Sequence, residues 1–361
     1  MLDPRAPVVL LQHEGLDNLS GKTGLAMLRY RSGPIVAVID PAHAGADLEA
    51  LTGIARPVPI VASMAEALTY RPQAAVVGLA PSGGRLPQAM RADVLLALEA
   101  GLNLASGLHS RLADDPQFGA ACRRPGQWIW DLRQEPADLE VATARCSALP
   151  CRRVLAVGSD MAVGKMSACL ELLAAARRRA LDARFVATGQ AGILISGGGI
   201  ALDAVRVDYA AGAVEAAVLD AAAAGSPEGA ATPDTVLLVE GQGSLCHPGS
   251  TATLPLLRGS QPTELLLVHR AGQNHVRTRP GAAAVAVSPL AELIAALEAV
   301  AALGRPDGLR PRVKAVALNT AGLEWQEAEA AVAATADLTG LACADPVRQD
   351  AQPLLDALGL G

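Results

Sequence analysis

The chain has 361 residues, 51% of them hydrophobic, and a formal net charge of −6, a length and apolar content that suit two domains with buried cores. The acidic balance gives no footprint for a polyanion, and two Phe, three Tyr and three Trp leave little for bases to stack on, so no nucleic-acid partner is expected. No apolar run reaches membrane-spanning length, and the first residues lack a basic segment followed by an apolar one, so no membrane association, a cytoplasmic location and six reduced thiols are expected.

Residues 8–11, 35–40, 58–62, 74–79 and 103–105 are short apolar runs separated by helical patterns, the clearest at 21–30 and 86–100. This alternation predicts βαβ crossovers, hence a small Rossmann-like parallel sheet over residues 1–110, although the GxGxxG fingerprint of a dinucleotide binder is absent. Two turns admit both a ligand and a plain structural reading. Ser20-Gly21-Lys22-Thr23-Gly24 can receive an anion at a helix start, with Asp40 as a ribose hook, or can simply cap a helix and end a strand. Pro81-Ser82-Gly83-Gly84-Arg85 follows a strand, where open sheets place ligands. Residues 111–150 mix Pro, Arg and Asp turns and read as a connecting segment.

The second domain, residues 151–361, opens on the most specific signal. Val154 to Val157 is an apolar strand that runs into Gly158-Ser159-Asp160-Met161-Ala162-Val163-Gly164-Lys165-Met166-Ser167 and then an Ala/Leu-rich helix. Strand, glycine loop, lysine and helix in that order form a phosphate-binding loop, in which backbone N–H groups, a mobile cation and the positive helix end converge on phosphate oxygens. The loop is one residue longer than GxxxxGK[ST], a form familiar from dethiobiotin synthetase and its relatives, where Asp stands at the place of Asp160. Lys22, Lys165 and Lys314 are the only lysines among 30 basic residues, so a lysine at 165 is a chosen one: a compact ammonium suits a tight cradle. Met166 stands where a magnesium-ligating hydroxyl usually follows the lysine. Either Ser167 takes that role through a shifted first turn, or the metal is held differently or is absent.

Downstream, the strand at 184–187 ends in Thr188-Gly189-Gln190, which places Thr188 and Gln190 for substrate or phosphate contacts unless they form an ordinary turn. Asp208 opens the next helix, as an N-cap or as a substrate or metal residue. Residues 235–244, ending Val239-Glu240-Gly241-Gln242-Gly243-Ser244, form a Walker-B-like strand whose Glu240 can hold Mg²⁺, directly or through water, or act as a general base. Together with the loop at 158–167 it predicts a larger P-loop NTPase-like, three-layer α/β/α domain. His247 and His269 both stand at the carboxyl side of strands, and His247 is the one assigned a functional part. Arg258, Gln261, Arg270, Gln273, Asn274 and Arg277 offer cationic forks and amides to a carboxylate substrate, and the strand at 313–320 ends in Asn319, the candidate for contact with a nucleotide base.

These residues in combination resemble a bacterial and archaeal family long labelled a domain of unknown function, some of whose members are D-glutamate N-acetyltransferases. The likeness rests on the loop at 158–167, Ala-Thr-Gly-Gln at 187–190, Val-Glu-Gly-Gln-Gly-Ser-Leu at 239–245 with His247-Pro248, Gly259-Ser260-Gln261-Pro262, Arg29-Tyr30-Arg31 and Ile39-Asp40-Pro41, and so spans essentially the whole chain. That family carries Met after the lysine, as Met166 does here. The resemblance implies acetyl transfer from acetyl-CoA to the amino group of a small acidic amino acid, D-glutamate first. The loop would then grip CoA phosphates, and Glu240 or His247 would deprotonate the substrate ammonium. Two alternatives stay open: an ATP- and Mg²⁺-dependent ligase that activates a carboxylate as an acyl phosphate, and a non-catalytic nucleotide-binding module. The active site is expected in a cleft between the domains, and the assembly is expected to be a homo-oligomer.

Overall fold

Short aliphatic runs such as Val-Val-Leu-Leu, Ile-Val-Ala-Val-Ile and Val-Leu-Leu-Val become strands buried on both faces, the pattern of parallel sheets covered by crossover helices. The computed structural model describes residues 2–81, 83–223, 230–278 and 281–360. The chain divides into two units, Met1–Glu135 with Gln190–Ala204, and Pro136–Gly189 with Val205–Gly361.

In the first unit, β1 (Val8–Leu11), β2 (Ile35–Ile39), β3 (Ile60–Val61), β4 (Ala74–Val77), β5 (Asn103–Ser106) and β6 (Ile129–Asp131) pair in parallel in the order β3-β2-β1-β4-β5-β6. This is the Rossmann order, with its switch point between β1 and β4. A core of Val9, Leu11, Ile39, Val77, Leu98 and Phe118 fills one side of the sheet. The helix Pro116–Ala121 starts where Asp115 accepts from the N–H groups of Gln117 (2.9 Å) and Phe118 (3.4 Å), with proline at the first helical position.

In the turns that left two readings open, the structure shows what the residues hold together. Gln12, fully buried after β1, donates through Nε2 to the carbonyls of Gly21 (2.8 Å) and Gly15 (3.2 Å). A Cβ on Gly24 or Gly78 would come within 2.0 or 2.1 Å of its Oε1, so the glycines around residues 20–24 make room for this glutamine. Asp40 is fully buried with both oxygens engaged: Oδ1 accepts from the N–H groups of Glu14 (3.0 Å) and Ala42 (3.2 Å), and Oδ2 meets His43 Nδ1 at 3.0 Å. In the turn after β4, Ser82 lies outside the described residues, while the Gly84 carbonyl accepts from the N–H groups of His109 (2.9 Å) and Ser110 (3.0 Å).

The domain limits differ from those expected. Residues 111–150 are no mere connection, because the helix at 116–121 and the edge strand β6 complete the first unit. Its loop is pinned by Asp131, 2% exposed, whose two oxygens accept from the N–H groups of Leu112 and Ala113, each at 2.9 Å. The segment 190–204, assigned by sequence to the second domain, also belongs to the first unit: Arg133 bonds the Gln190 amide oxygen and pairs with Asp203, and Arg31 Nη1 donates to the Leu194 carbonyl at 3.0 Å.

In the second unit, β7 (Arg152–Gly158), β8 (Ala183–Val186), β9 (Val236–Val239), β10 (Glu264–Arg270), β11 (Arg312–Asn319) and β12 (Ala342–Ala344) form a parallel sheet in the order β12-β11-β10-β7-β9-β8. The phosphate-type loop leaves the end of β7, between β9 and β10. None of the described helices is long and apolar enough to cross a membrane.

Replacing Asp131 with Ala is expected to destabilise the first unit by about 2–3 kcal/mol, since the buried Leu112 N–H and the partly buried Ala113 N–H lose a charged acceptor. The effect should be read as a lower urea midpoint, and parent-like unfolding would show that residues 111–131 are dispensable to the unit.

Candidate functional site

The site is built at the carboxyl ends of β7, β9, β10 and β11. After Gly158 the loop takes two left-handed residues, Ala162 (φ 54°) and Gly164 (φ 113°), and the helix Lys165–Arg178 begins directly behind it. The φ at Gly164 is one that a side chain would strain. Lys165, 6% exposed, folds back so that Nζ donates to the Asp160 carbonyl at 2.8 Å. A Cβ at Gly158 would sit 2.8 Å from that ammonium, so glycine is what lets the lysine lie there.

Two side chains tie down the loop's carbonyls. Asn319 Nδ2 donates to Val163 O at 2.9 Å and Arg270 Nη2 to Ala162 O at 3.0 Å. Among the described residues none supplies an acceptor for the N–H groups of Ala162, Val163, Gly164, Lys165, Met166 or Ser167. With the carbonyls occupied and the amides free, the loop is a nest for an anion at a positive helix end.

Beside it stands Glu240, directly after β9 and 3% exposed. Its Oε2 accepts from the N–H groups of Thr188 (2.9 Å) and Gly189 (3.1 Å), its Oε1 from Gln242 Nε2 (3.0 Å), and its carbonyl from Thr188 Oγ1 (2.7 Å). Gly241 passes so near β7 that a Cβ would fall 1.6 Å from the Ala156 carbonyl. Burial pushes the Glu240 carboxyl up to about 7, against the pull of these donors and of Lys165. Burial likewise brings Lys165 down to about 8, with Asp160 and Glu240 opposing. Both groups therefore change charge near neutrality.

A Mg²⁺ ion fits here only in part. Ser167 lies half-buried in the first helical turn, but each Glu240 oxygen is already engaged by a donor, so Glu240 suits a metal held through water rather than directly. Among the described residues there is no group of three or more His, Cys, Asp or Glu that could hold a metal by itself.

The structure brings Gly158, Ser159, Asp160, Ala162, Val163, Gly164, Lys165, Met166, Ser167, Thr188, Glu240, Gln242 and Asn319 to one end of the sheet, with differences in what they do. Asp160 turns its carboxylate away from the nest: Oδ1 accepts from Met161 N–H (2.7 Å), and Oδ2 from Arg277 N–H (2.8 Å) and Gln273 Nε2. Asn319 uses both ends of its amide on backbone, accepting also from Ala321 N–H at 3.0 Å, and so braces the loop.

Several expected residues fall elsewhere. His247 spends its ring on its own loop: Nδ1 accepts from Gly249 N–H at 3.0 Å, which leaves the proton on Nε2 to donate to Arg277 O at 2.8 Å, so no lone pair is available for a substrate proton. Gln261 sits ahead of β10, at the opposite end of the sheet, where its Nε2 donates to Arg258 O (2.9 Å) and its carbonyl receives Arg153 Nε (2.9 Å). Asp208 is exposed in the first turn of the helix Val207–Ala223, and Gln190 lies in the first unit.

The histidine that does meet the loop is His269, whose Nδ1 pairs with Ser159 Oγ at 2.8 Å and whose pKa burial lowers. Its place at the end of the strand next to β7 is the signal that could have ranked it above His247. Arg270, one residue on, has a buried Nε without a partner.

The chain matches two family descriptions in tandem: a Rossmann-like N-terminal domain of unknown function over residues 41–135, and the P-loop domain of unknown function DUF1611 over residues 140–355. It is 33% identical over 353 residues, 98% of each chain, to a D-glutamate N-acetyltransferase of Tritonibacter scottomollicae. It is 32% identical over 287 residues, 79% of this chain and 81% of the other, to a D-glutamate N-acetyltransferase of Pseudoalteromonas sp.. A crystal structure of a DUF1611 family protein from Anabaena variabilis superposes with a TM-score of 0.89 at 51% identity, covering 99% of this chain and all of that one. With both domain types matched in order and relatives aligned along nearly its whole length, the chain belongs to the DUF1611 family.

Proposed function

We propose that the protein is an N-acyltransferase that places an acetyl group from acetyl-CoA on the amino nitrogen of an acidic amino acid, D-glutamate first. The observation that carries this reading is the run of unpartnered N–H groups from Ala162 to Ser167 around the buried Lys165 ammonium, beside Glu240. The names of the two relatives support the choice of acetyl donor and D-glutamate acceptor.

The nest and Lys165 would hold phosphate oxygens, those of the CoA moiety in this reading. Acetyl-CoA supplies the activated thioester carbonyl. Glu240, steadied by Thr188, Gly189 and Gln242, would take a proton from the substrate ammonium so that the amine can attack, a task that suits a carboxyl poised near 7. Arg270, held against the loop by its bond to the Ala162 carbonyl, would lend positive charge for a substrate carboxylate.

A ligase that uses ATP and Mg²⁺ is the second reading, favoured by the Walker-like placement of Lys165 in the loop after β7 and Glu240 directly after the adjacent β9. The two part on one measurement. Mass spectrometry of D-glutamate with acetyl-CoA is expected to show the N-acetyl product and free CoA with ATP omitted, whereas product formed only with Mg-ATP would move the ligase to first place.

Lys165→Ala should cost about 10²–10³-fold in kcat/KM, the scale of a lost preorganised donor, with the melting curve retained. Lys165→Arg should not restore activity, because a planar guanidinium does not fit over Gly158. Undiminished turnover in Lys165→Ala would sink the loop's part in the reaction.

The charge states give a pH profile. The reading needs Glu240 ionised, which is lost as pH falls below about 7, and Lys165 protonated, which is lost as pH rises above about 8. A bell with its maximum between these values is expected for kcat/KM. Glu240→Gln should lower kcat by about 10²–10⁴-fold and remove the acid limb; an acid limb that survives in that variant places the base elsewhere.

A further inference from the structure

The proposed chemistry leaves unused a cavity of about 440 Å3 in the first unit, at the end of the sheet where the strands begin. It is bounded by the last turn of the helix Lys22–Tyr30, the residues after it, and the turn that follows the helix Leu48–Thr52. A helix end normally presents carbonyl oxygens, which repel anions. Here Arg56 covers them: Nη1 donates to Arg31 O (2.8 Å), Leu28 O (3.1 Å) and Met27 O (3.4 Å), and Nη2 to Gly33 O (2.7 Å).

With those acceptors occupied, the wall offers donors. Arg31 is 2% exposed; its terminal nitrogens are held by the carbonyls of Leu194, Asp3 and Ala6 at 2.9–3.0 Å, and its Nε is buried without a partner. Among the described residues, the Arg29 guanidinium, the Ser32 hydroxyl and the Ala55 N–H likewise have no acceptor. Among the described residues no carboxylate lines the cavity. Asp3, the acid whose charge reaches Arg31, is engaged through Oδ1 by Arg5 N–H at 2.8 Å. The hydrogen bonds of Arg31 and Arg56 thus go to neutral carbonyls, and Asp3 offsets the buried Arg31 charge only at a distance, so burial and the neighbouring Arg56 still lower its pKa. Helix capping accounts for Arg56 but not for the second, buried guanidinium of Arg31 beside it.

We propose that this cavity binds a small oxyanion, a molecule carrying a phosphate or a pair of carboxylates, through the exposed Arg29 guanidinium, the Ser32 hydroxyl and the Ala55 N–H, with the buried charge of Arg31 behind them. Guanidinium forks match both groups in geometry and charge. This second anion site is separate from the phosphate nest and does not rest on the acyltransferase reading.

The test is calorimetric titration of the full chain with inorganic phosphate and, separately, with succinate, in the Lys165→Ala background so that the nest is silenced. One saturable site is expected, weakened by added salt and about tenfold by Arg29→Ala, the loss of one charge-assisted bond. Arg29 is exposed and makes no protein contact that folding needs, so this variant reports binding and not collapse. In the otherwise unchanged chain, Arg29→Ala should weaken one of two phosphate sites and leave the other. Binding of phosphate alone or of succinate alone identifies which oxyanion the cavity takes. No saturable binding of either anion by the Lys165→Ala protein, or binding indifferent to Arg29→Ala, overturns the proposal.

Discussion

A lysine ammonium is held almost out of water with a single hydrogen bond, to a main-chain carbonyl, and much of the second unit is arranged to make that possible. The cost of burying a cation falls if it sheds its proton or gains an anion. Both routes are left open: burial brings Lys165 down to about 8, and the N–H groups ahead of it and around it await an acceptor. Gly158 yields the space, Gly164 supplies the left-handed turn, and Arg270 and Asn319 hold the carbonyls that would otherwise compete with a ligand. Remove any of these and the ammonium either points elsewhere or meets an oxygen that is not the ligand's.

Glu240 is the counterpart on the next strand. A carboxyl that accepts three hydrogen bonds would ordinarily be strongly acidic, yet burial outweighs the donors and the neighbouring cation and leaves it near 7. Two groups of opposite charge type, each displaced toward neutrality by the same dry surroundings, make a site whose protonation responds to what binds in it. Backbone geometry fixes the arrangement: β7 and β9 are neighbours, and the close pass of Gly241 over Ala156 sets how the Glu240 loop leaves its strand.

The sequence made legible what is local and periodic. Apolar strands at regular intervals announced two parallel sheets, and Gly158 to Ser167 announced the nest, because the order of strand, loop and helix is itself the physical requirement. What stayed hidden depends on partners far along the chain. Nothing near Gln190 signals that it is held by Arg133, and nothing near Asp131 signals that it ties down Leu112 and Ala113, so the limits of the first unit were misplaced. His247 stood out by lying next to the acidic loop, but only coordinates reveal that Gly249 and Arg277 occupy both its ring nitrogens. The glycines near residue 21 likewise suggested an anion loop, where the reason for them is the buried Gln12 side chain.

Asp160 poses the sharpest question of charge, since an acid on an anion-binding loop should weaken the loop. Its carboxylate is fully buried and meets three donors, Met161 N–H, Arg277 N–H and Gln273 Nε2. Its negative charge is thus spent on the segment formed by the end of β10 and the residues after it, which carries His269, Arg270 and Arg277, and only its carbonyl is turned to Lys165. In this way one residue secures the lysine from one side and fastens a basic segment to the loop from the other. The same segment supplies His269 to Ser159 and Arg270 to Ala162. An aspartate there adds no free negative charge to the nest, and the cations it recruits make the surroundings of the bound anion more positive than the loop alone would be.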